Sequence, residues 1–236
     1  MSLLARLFGP AVELSPEMAA RLAAWRALVP DPEQTLLGAA RFVVVDVESS
    51  GLDVRRDRLL AVGACALERG RLTVGASFER VIFQAQVSTK ANILVHGIAP
   101  TEQAGGLPAE QALMDFLELA GAHVLLAYHA PFDRIMLDRA TREHLGVRLA
   151  NRWIDLAYLA PALVPEARLP QASLDDWFRY FGIYVRARHR AIDDVLATGE
   201  LMLILLSRAR ARGMQTIGEL LVTAEAQQRL AMAGGF

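Results

Sequence analysis

The stretch Arg41-Phe42-Val43-Val44-Val45-Asp46-Val47-Glu48-Ser49-Ser50-Gly51-Leu52 interrupts a β-branched run with two carboxylates. Phe42 to Val45 predicts a strand buried on both faces, as in a sheet covered by helices. Asp46 and Glu48 are two apart, so a strand sends both side chains to the same face. Two anions side by side in apolar surroundings cost free energy unless a cation sits between them. Hard oxygens suit a divalent cation, magnesium or manganese. Gly51 permits a sharp turn and close approach of a ligand to the backbone. Alone, the pair reads first as a solvated strand end, and the rest of the chain has to change that reading.

Working outward, residues 1–40 form a helical preface. Ser15-Pro16 is a helix start, and Met18, Leu22, Trp25 and Leu28 or Val29 recur at helical spacing until Pro30-Asp31-Pro32. This stripe suits packing on the domain or on a second copy. Downstream, Leu59 to Glu68 and Arg71 to Phe83 predict an antiparallel three-strand meander with the opening strand. Asp53, Arg55, Arg56, Asp57 and Arg58 read as a solvated turn between them. Val95 to Pro100 predicts a loop in which His96 either lines a pocket or is a hydrogen-bonded loop histidine. Pro108 to Leu119 is helical.

His123 to Ala127 predicts a short buried strand running through Tyr128 and His129 into a helix. On that helix Asp133, Met136, Leu137 and Ala140 share a face, which turns Asp133 inward and Asp138 outward. An inward carboxylate needs a partner, unless the helix dipole alone satisfies it. Trp153 to Leu163 is a further element, ended by Pro161 and Pro165, with Asp155 as a structural acid. Leu174 to Phe181 is a helix stopped by Gly182. After His189, periodicity selects Asp194 over Asp193 as the inward acid of a helix reaching Arg212. Thr216 and Glu219 stand at capping-box spacing before a last helix.

The 236 residues carry 53% hydrophobic and 22% charged side chains, which indicates a globular chain of one large domain with appendages. A formal net charge of −1 argues against a long basic groove coating duplex DNA, but not against an enzyme gripping a few nucleotides beside a metal. Cys65 is the only cysteine and fits a reducing, cytoplasmic setting. Its strand-like surroundings make it a small core residue. No run is long enough to span a bilayer, and the short apolar patch broken by Gly9 and Pro10 does not read as a signal peptide.

Asp46 and Glu48, Asp133 and Asp194 thus lie on three elements with their carboxylates turned inward. Gathered at one sheet end they could hold two divalent metals about 3.5–4 Å apart, an arrangement suited to phosphodiester hydrolysis. His189, five residues before Asp194, could take the proton from water.

The order D-x-E-(S/T)-(S/T)-G-L, an H-G-I loop, (N/H)-x-x-F-D and H-x-A-x-x-D resembles the DEDDh 3′–5′ exonucleases, which include epsilon-like proofreading subunits of bacterial polymerases. The resemblance covers roughly residues 41–207. It implies an α/β, ribonuclease H-like fold, with a central mixed five-stranded sheet flanked by helices. It implies that Asp46, Glu48, Asp133 and Asp194 bind two divalent ions, Mg2+ or Mn2+, with His189 as general base. It also implies that Ser49, Gly51, Leu52, His96 and His129 contact the terminal nucleotide. His129 stands where relatives carry an amide.

The implied organisation is an N-terminal helical extension (1–40), an exonuclease domain (41–212) and a C-terminal helix and tail (213–236). The implied partner is a single-stranded 3′ end a few nucleotides long, DNA rather than RNA. The enzyme could be freestanding or bind a DNA polymerase or other protein through either end, the extension could mediate dimerisation, and no membrane is involved. The competing expectations are a binding module on a catalytically weak nuclease fold and a polymerase-associated proofreading subunit.

Overall fold

A computed structural model describes residues 12–234 apart from 170 and 187. The β-branched run forms β1 (Arg41–Ser49), the middle of a five-stranded sheet ordered β3-β2-β1-β4-β5. β2 (Leu59–Glu68) and β3 (Arg71–Val81) complete the antiparallel meander. β4 (Val124–Ala127) and β5 (Trp153–Asp155) join in parallel on the other side. A central strand must bury both faces, which is why Phe42, Val43 and Val44 are all inaccessible to solvent.

The side chains of β1 alternate between two cores. Phe42 and Val44 pack with Trp177, Val195, Leu201 and Leu220. Val43, Val45 and Val47 pack with Leu22, Phe116 and Met136. The first core is roofed by α6 (Leu156–Leu163), α7 (Leu174–Phe181), α8 (Ala191–Ala211) and α9 (Ile217–Ala233). The second is roofed by α1 (Pro16–Arg26), α4 (Ala109–Ala120) and α5 (Pro131–Leu145). Two short helices, α2 (Lys90–His96) and α3 (Pro100–Ala104), cross between β3 and α4. No helix among the described residues is long and apolar enough to cross a membrane.

Local signals account for many boundaries. Ser15 Oγ accepts the Met18 N–H at 3.2 Å to open α1. Thr216 and Glu219 close a capping box on α9. Gly182 ends α7 in the left-handed conformation.

Four expectations need correction. α1 stops at Arg26, so Leu28 and Val29 leave its stripe and are exposed. The segment before Gly97 is the helix α2, capped by Thr89, and His96 is its last residue rather than a loop position. Pro161 lies inside α6 instead of ending it, at the cost of one backbone bond. Asp138 is only partly outward: it pairs with Arg142, and its carboxylate accepts the Leu149 N–H at 3.0 Å.

The last helix contributes Ile217, Leu220, Leu221 and Ala224 to the first core. Leu220→Ala is therefore expected to cost about 2–5 kcal/mol, the usual penalty for emptying a packed leucine site. Urea unfolding measures this. A loss below about 0.5 kcal/mol, typical of surface changes, would show that α9 is not integral to the core.

Candidate active site

Asp46 and Glu48 continue the Phe42–Val44 row toward α8. There Asp194, in the first turn of the helix and 4% exposed, meets them. One carboxylate oxygen from each of Asp46, Glu48 and Asp194 lies within 4.8 Å of the others. Asp193 faces elsewhere and pairs with Arg186 at 3.2 Å.

Asp133 reaches the same strand from the opposite layer. β4 pairs with β1 only as far as Val44↔Leu126, and beyond that point the β1 edge is open. Asp133, at the start of α5 and 5% exposed, fills the opening and accepts the Val47 N–H at 3.1 Å. It lies beside the three-oxygen group rather than within it.

The close approach of α8 depends on a residue that the motif reading passed over. Gly63 on β2 is the register partner of Asp46. A Cβ there would sit 2.6 Å from the Ala191 carbonyl carbon. A lone glycine inside a strand pattern was the available signal for such an approach. Glu79 on β3 supplies the missing cap, accepting from Ile192 N at 3.4 Å and pairing with Arg190 at 2.9 Å.

The turn after β1 is stitched rather than loose. Asp57, expected to be solvated, accepts from Ser50 Oγ at 2.9 Å and Asp53 N at 2.8 Å. It lies so near Gly51 that a Cβ there would come within 2.5 Å of its carboxylate. Arg139 of α5 donates to the Val54 carbonyl at 2.6 Å, and Asn92 of α2 donates to the Ser50 carbonyl. This framework presents Ser49 partly buried and Leu52 87% exposed, an apolar side chain held out into solvent.

The histidines divide by environment. His96 is 2% exposed; its Nδ1 accepts the Ile98 N–H at 3.1 Å, and burial holds its pKa below the ordinary value. Its Nε2 is buried with no hydrogen-bond partner among the described residues. His189 is exposed and left-handed (φ 61°), and its N–H donates to Asp194 at 3.0 Å. Its carbonyl oxygen lies 3.9 Å from where a Gly97 Cβ would be, so the C-terminal end of α2 adjoins the turn of His189. His129 is also exposed and left-handed (φ 61°), with its N–H on Asp155 at 2.9 Å. Asp155 also accepts the Ala157 N–H at 2.9 Å, which bears out its structural reading.

The charge balance is unfavourable without a cation. Burial, then Asp133 and the other acids, pushes Asp46 well above the ordinary carboxylate range. Burial and Asp194 raise Glu48 to about 8. Burial raises Asp133 to about 8 despite the Val47 N–H, which acts to lower it. Buried acids with only oxygen donors fit a hard divalent cation.

A family model described as Exonuclease matches residues 43–202, spanning all of these acids. The chain belongs to this exonuclease family. It is 30% identical over 200 residues to a DNA polymerase III subunit epsilon-like protein of Rhodobacter capsulatus, covering 84% of this chain and 28% of that one. It is 25% identical over 165 residues to the DNA polymerase III subunit epsilon of Aquifex aeolicus, covering 70% of this chain and 80% of that one. Among solved structures it resembles E. coli exonuclease I in complex with a dA16 oligonucleotide. That match has a TM-score of 0.62 at 18% identity and covers 73% of this chain and 42% of that one. Exonuclease X in complex with 5′ overhanging duplex DNA matches with a TM-score of 0.58 at 16% identity, covering 76% and 99%. These likenesses establish the fold as the ribonuclease H-like architecture of exonucleases.

Two outcomes follow from the site. Gly63→Ala must push the start of α8 away from β1, so divalent-metal affinity is expected to fall at least about ten-fold while circular dichroism stays native, the scale of one lost charge-assisted bond. Unchanged affinity would show that the glycine approach does not position Asp194. The raised carboxyls favour protonation in the folded chain. Without metal, their contribution to stability is full below about pH 4 and is lost as pH rises toward about 8. Metal binding at pH 7 should therefore release protons, seen as a dependence of calorimetric heat on buffer ionisation enthalpy. No buffer dependence would contradict the raised values.

Proposed function

We propose that the protein is a DEDDh-type 3′–5′ exonuclease that removes nucleoside monophosphates from the 3′ end of nucleic acid, with two Mg2+ or Mn2+ ions as cofactors. The observation that carries this reading is the meeting of Asp46, Glu48 and Asp194 oxygens within 4.8 Å, with Asp133 beside them on Val47 N–H. The span of the family match, 43–202, supports a catalytic domain at 41–212 with the preface and the last helix as flanking elements.

Bound divalent ions would supply charge stabilisation at the phosphate and a water acidified toward neutral pH. Asp46, Glu48, Asp133 and Asp194 would hold those ions. The exposed imidazole of His189, fixed through its backbone N–H on Asp194, would take the proton of the attacking water. Leu52 would wedge against the terminal base, with Ser49 and Gly51 lining its seat. His96 and His129 would border the nucleotide.

DNA is favoured over RNA because the structural neighbours were solved with DNA. A second reading, a proofreading subunit bound to a polymerase, is favoured by the names of the Rhodobacter and Aquifex relatives.

Asp46→Ala and Asp133→Ala should each abolish stepwise shortening of a 5′-labelled single strand in Mn2+, and His189→Ala should slow it by about 10²–10⁴-fold. Unchanged shortening by both aspartate variants would refute the assignment. Running the same assay on DNA and RNA strands tests the substrate preference, which requires faster loss of the DNA.

A further inference from the structure

The acid cluster already contains a cation from the chain itself. Arg188, next to His189, donates Nη1 to Asp194 Oδ1. Its guanidinium also acts on Asp46 and Glu48, offsetting part of their mutual repulsion. The other side of the same group faces α7. Nε approaches Asp175 Oδ1 to 2.7 Å, and the guanidinium carbon sits 5.7 Å from the centre of the Phe178 ring.

The two contacts differ in quality. The Asp194 contact is a hydrogen bond to a carboxylate 6% exposed. The Asp175 contact is close but misaligned, so the buried Nε–H has no hydrogen-bond acceptor. A guanidinium can satisfy a carboxylate with two parallel bonds, which the present arrangement does not form with Asp175. Asp194 Oδ1 cannot serve Arg188 and a metal ion equally. Its other oxygen stays fixed by the His189 N–H at 3.0 Å, so the carboxylate keeps its aim when Arg188 leaves.

We propose that Arg188 is a resident counter-cation and positioning residue: it holds Asp194 while no metal is bound and passes to Asp175 when metal takes that carboxylate. The inference rests on the metal-site reading above. Arg188 thus competes with metal for Asp194, and Asp175 favours the metal-bound form by giving the released guanidinium an aligned partner. The Phe178 ring supports it in both positions.

The test is calorimetric Mn2+ binding to the full chain, without substrate. Arg188→Gln should bind Mn2+ about ten-fold more tightly, the size of one charge-assisted bond removed from the metal-free state. Asp175→Asn should bind more weakly than wild type. In the Arg188→Gln background Asp175→Asn should have no effect, because Asp175 acts on metal only through Arg188. A purely structural role would move both single variants in the same direction. Arg188→Lys keeps the charge without the two-sided fork and should bind more tightly than wild type; it serves if the glutamine variant does not fold. Equal affinities in wild type and folded variants, or weaker binding by Arg188→Gln, would overturn the proposal alone. No Mn2+ binding by the wild type would overturn the metal reading, and this proposal with it.

Discussion

Repulsion among carboxylates at the end of β1 is the constraint on which the arrangement of the site depends. Asp46 and Glu48 project from the central strand of the sheet, and Asp194 and Asp133 approach from opposite layers. Each of these acids is held above its ordinary pKa first by burial. A fold does not gather such groups for stability, because removing charges from water costs several kcal/mol per ion before any compensation. The concentration of negative charge makes sense as a seat for divalent cations.

The fold holds these groups in place with backbone donors and close packing. Stopping β4 at Ala127 opens the edge of β1, and Asp133 takes the Val47 N–H there. Gly63 lets α8 approach the sheet beside Asp46, and Glu79 caps that helix from β3. The turn bearing Gly51 and Leu52 is fixed by Asp57, Asn92 and Arg139. Arg188 brings a positive charge that offsets part of the repulsion at Asp46, Glu48 and Asp194 alike.

Much of this was legible in the sequence because it is periodic or local. The β-branched run of β1 announces a doubly covered strand, the helical repeat picks Asp194 over Asp193, and Ser15 and Thr216 mark helix starts. Contacts between distant segments were not legible. Asp133 approaching from the layer opposite Asp194 follows from where β4 stops, and no spacing records that. Asp57 looks like a solvated turn acid until Ser50 and Asp53 close around it. α2 lacks the length for a helical pattern to declare itself, so His96 reads as a loop residue. The role of Arg188 depends on Asp175 and Phe178, both on another helix.

Anomalous diffraction from crystals grown with Mn2+ would locate the ions themselves. The account predicts two manganese peaks about 3.5–4 Å apart, bounded by Asp46, Glu48, Asp133 and Asp194, as expected for a two-metal phosphodiesterase. Manganese absent from these four carboxylates, with the protein otherwise folded as described, would contradict it.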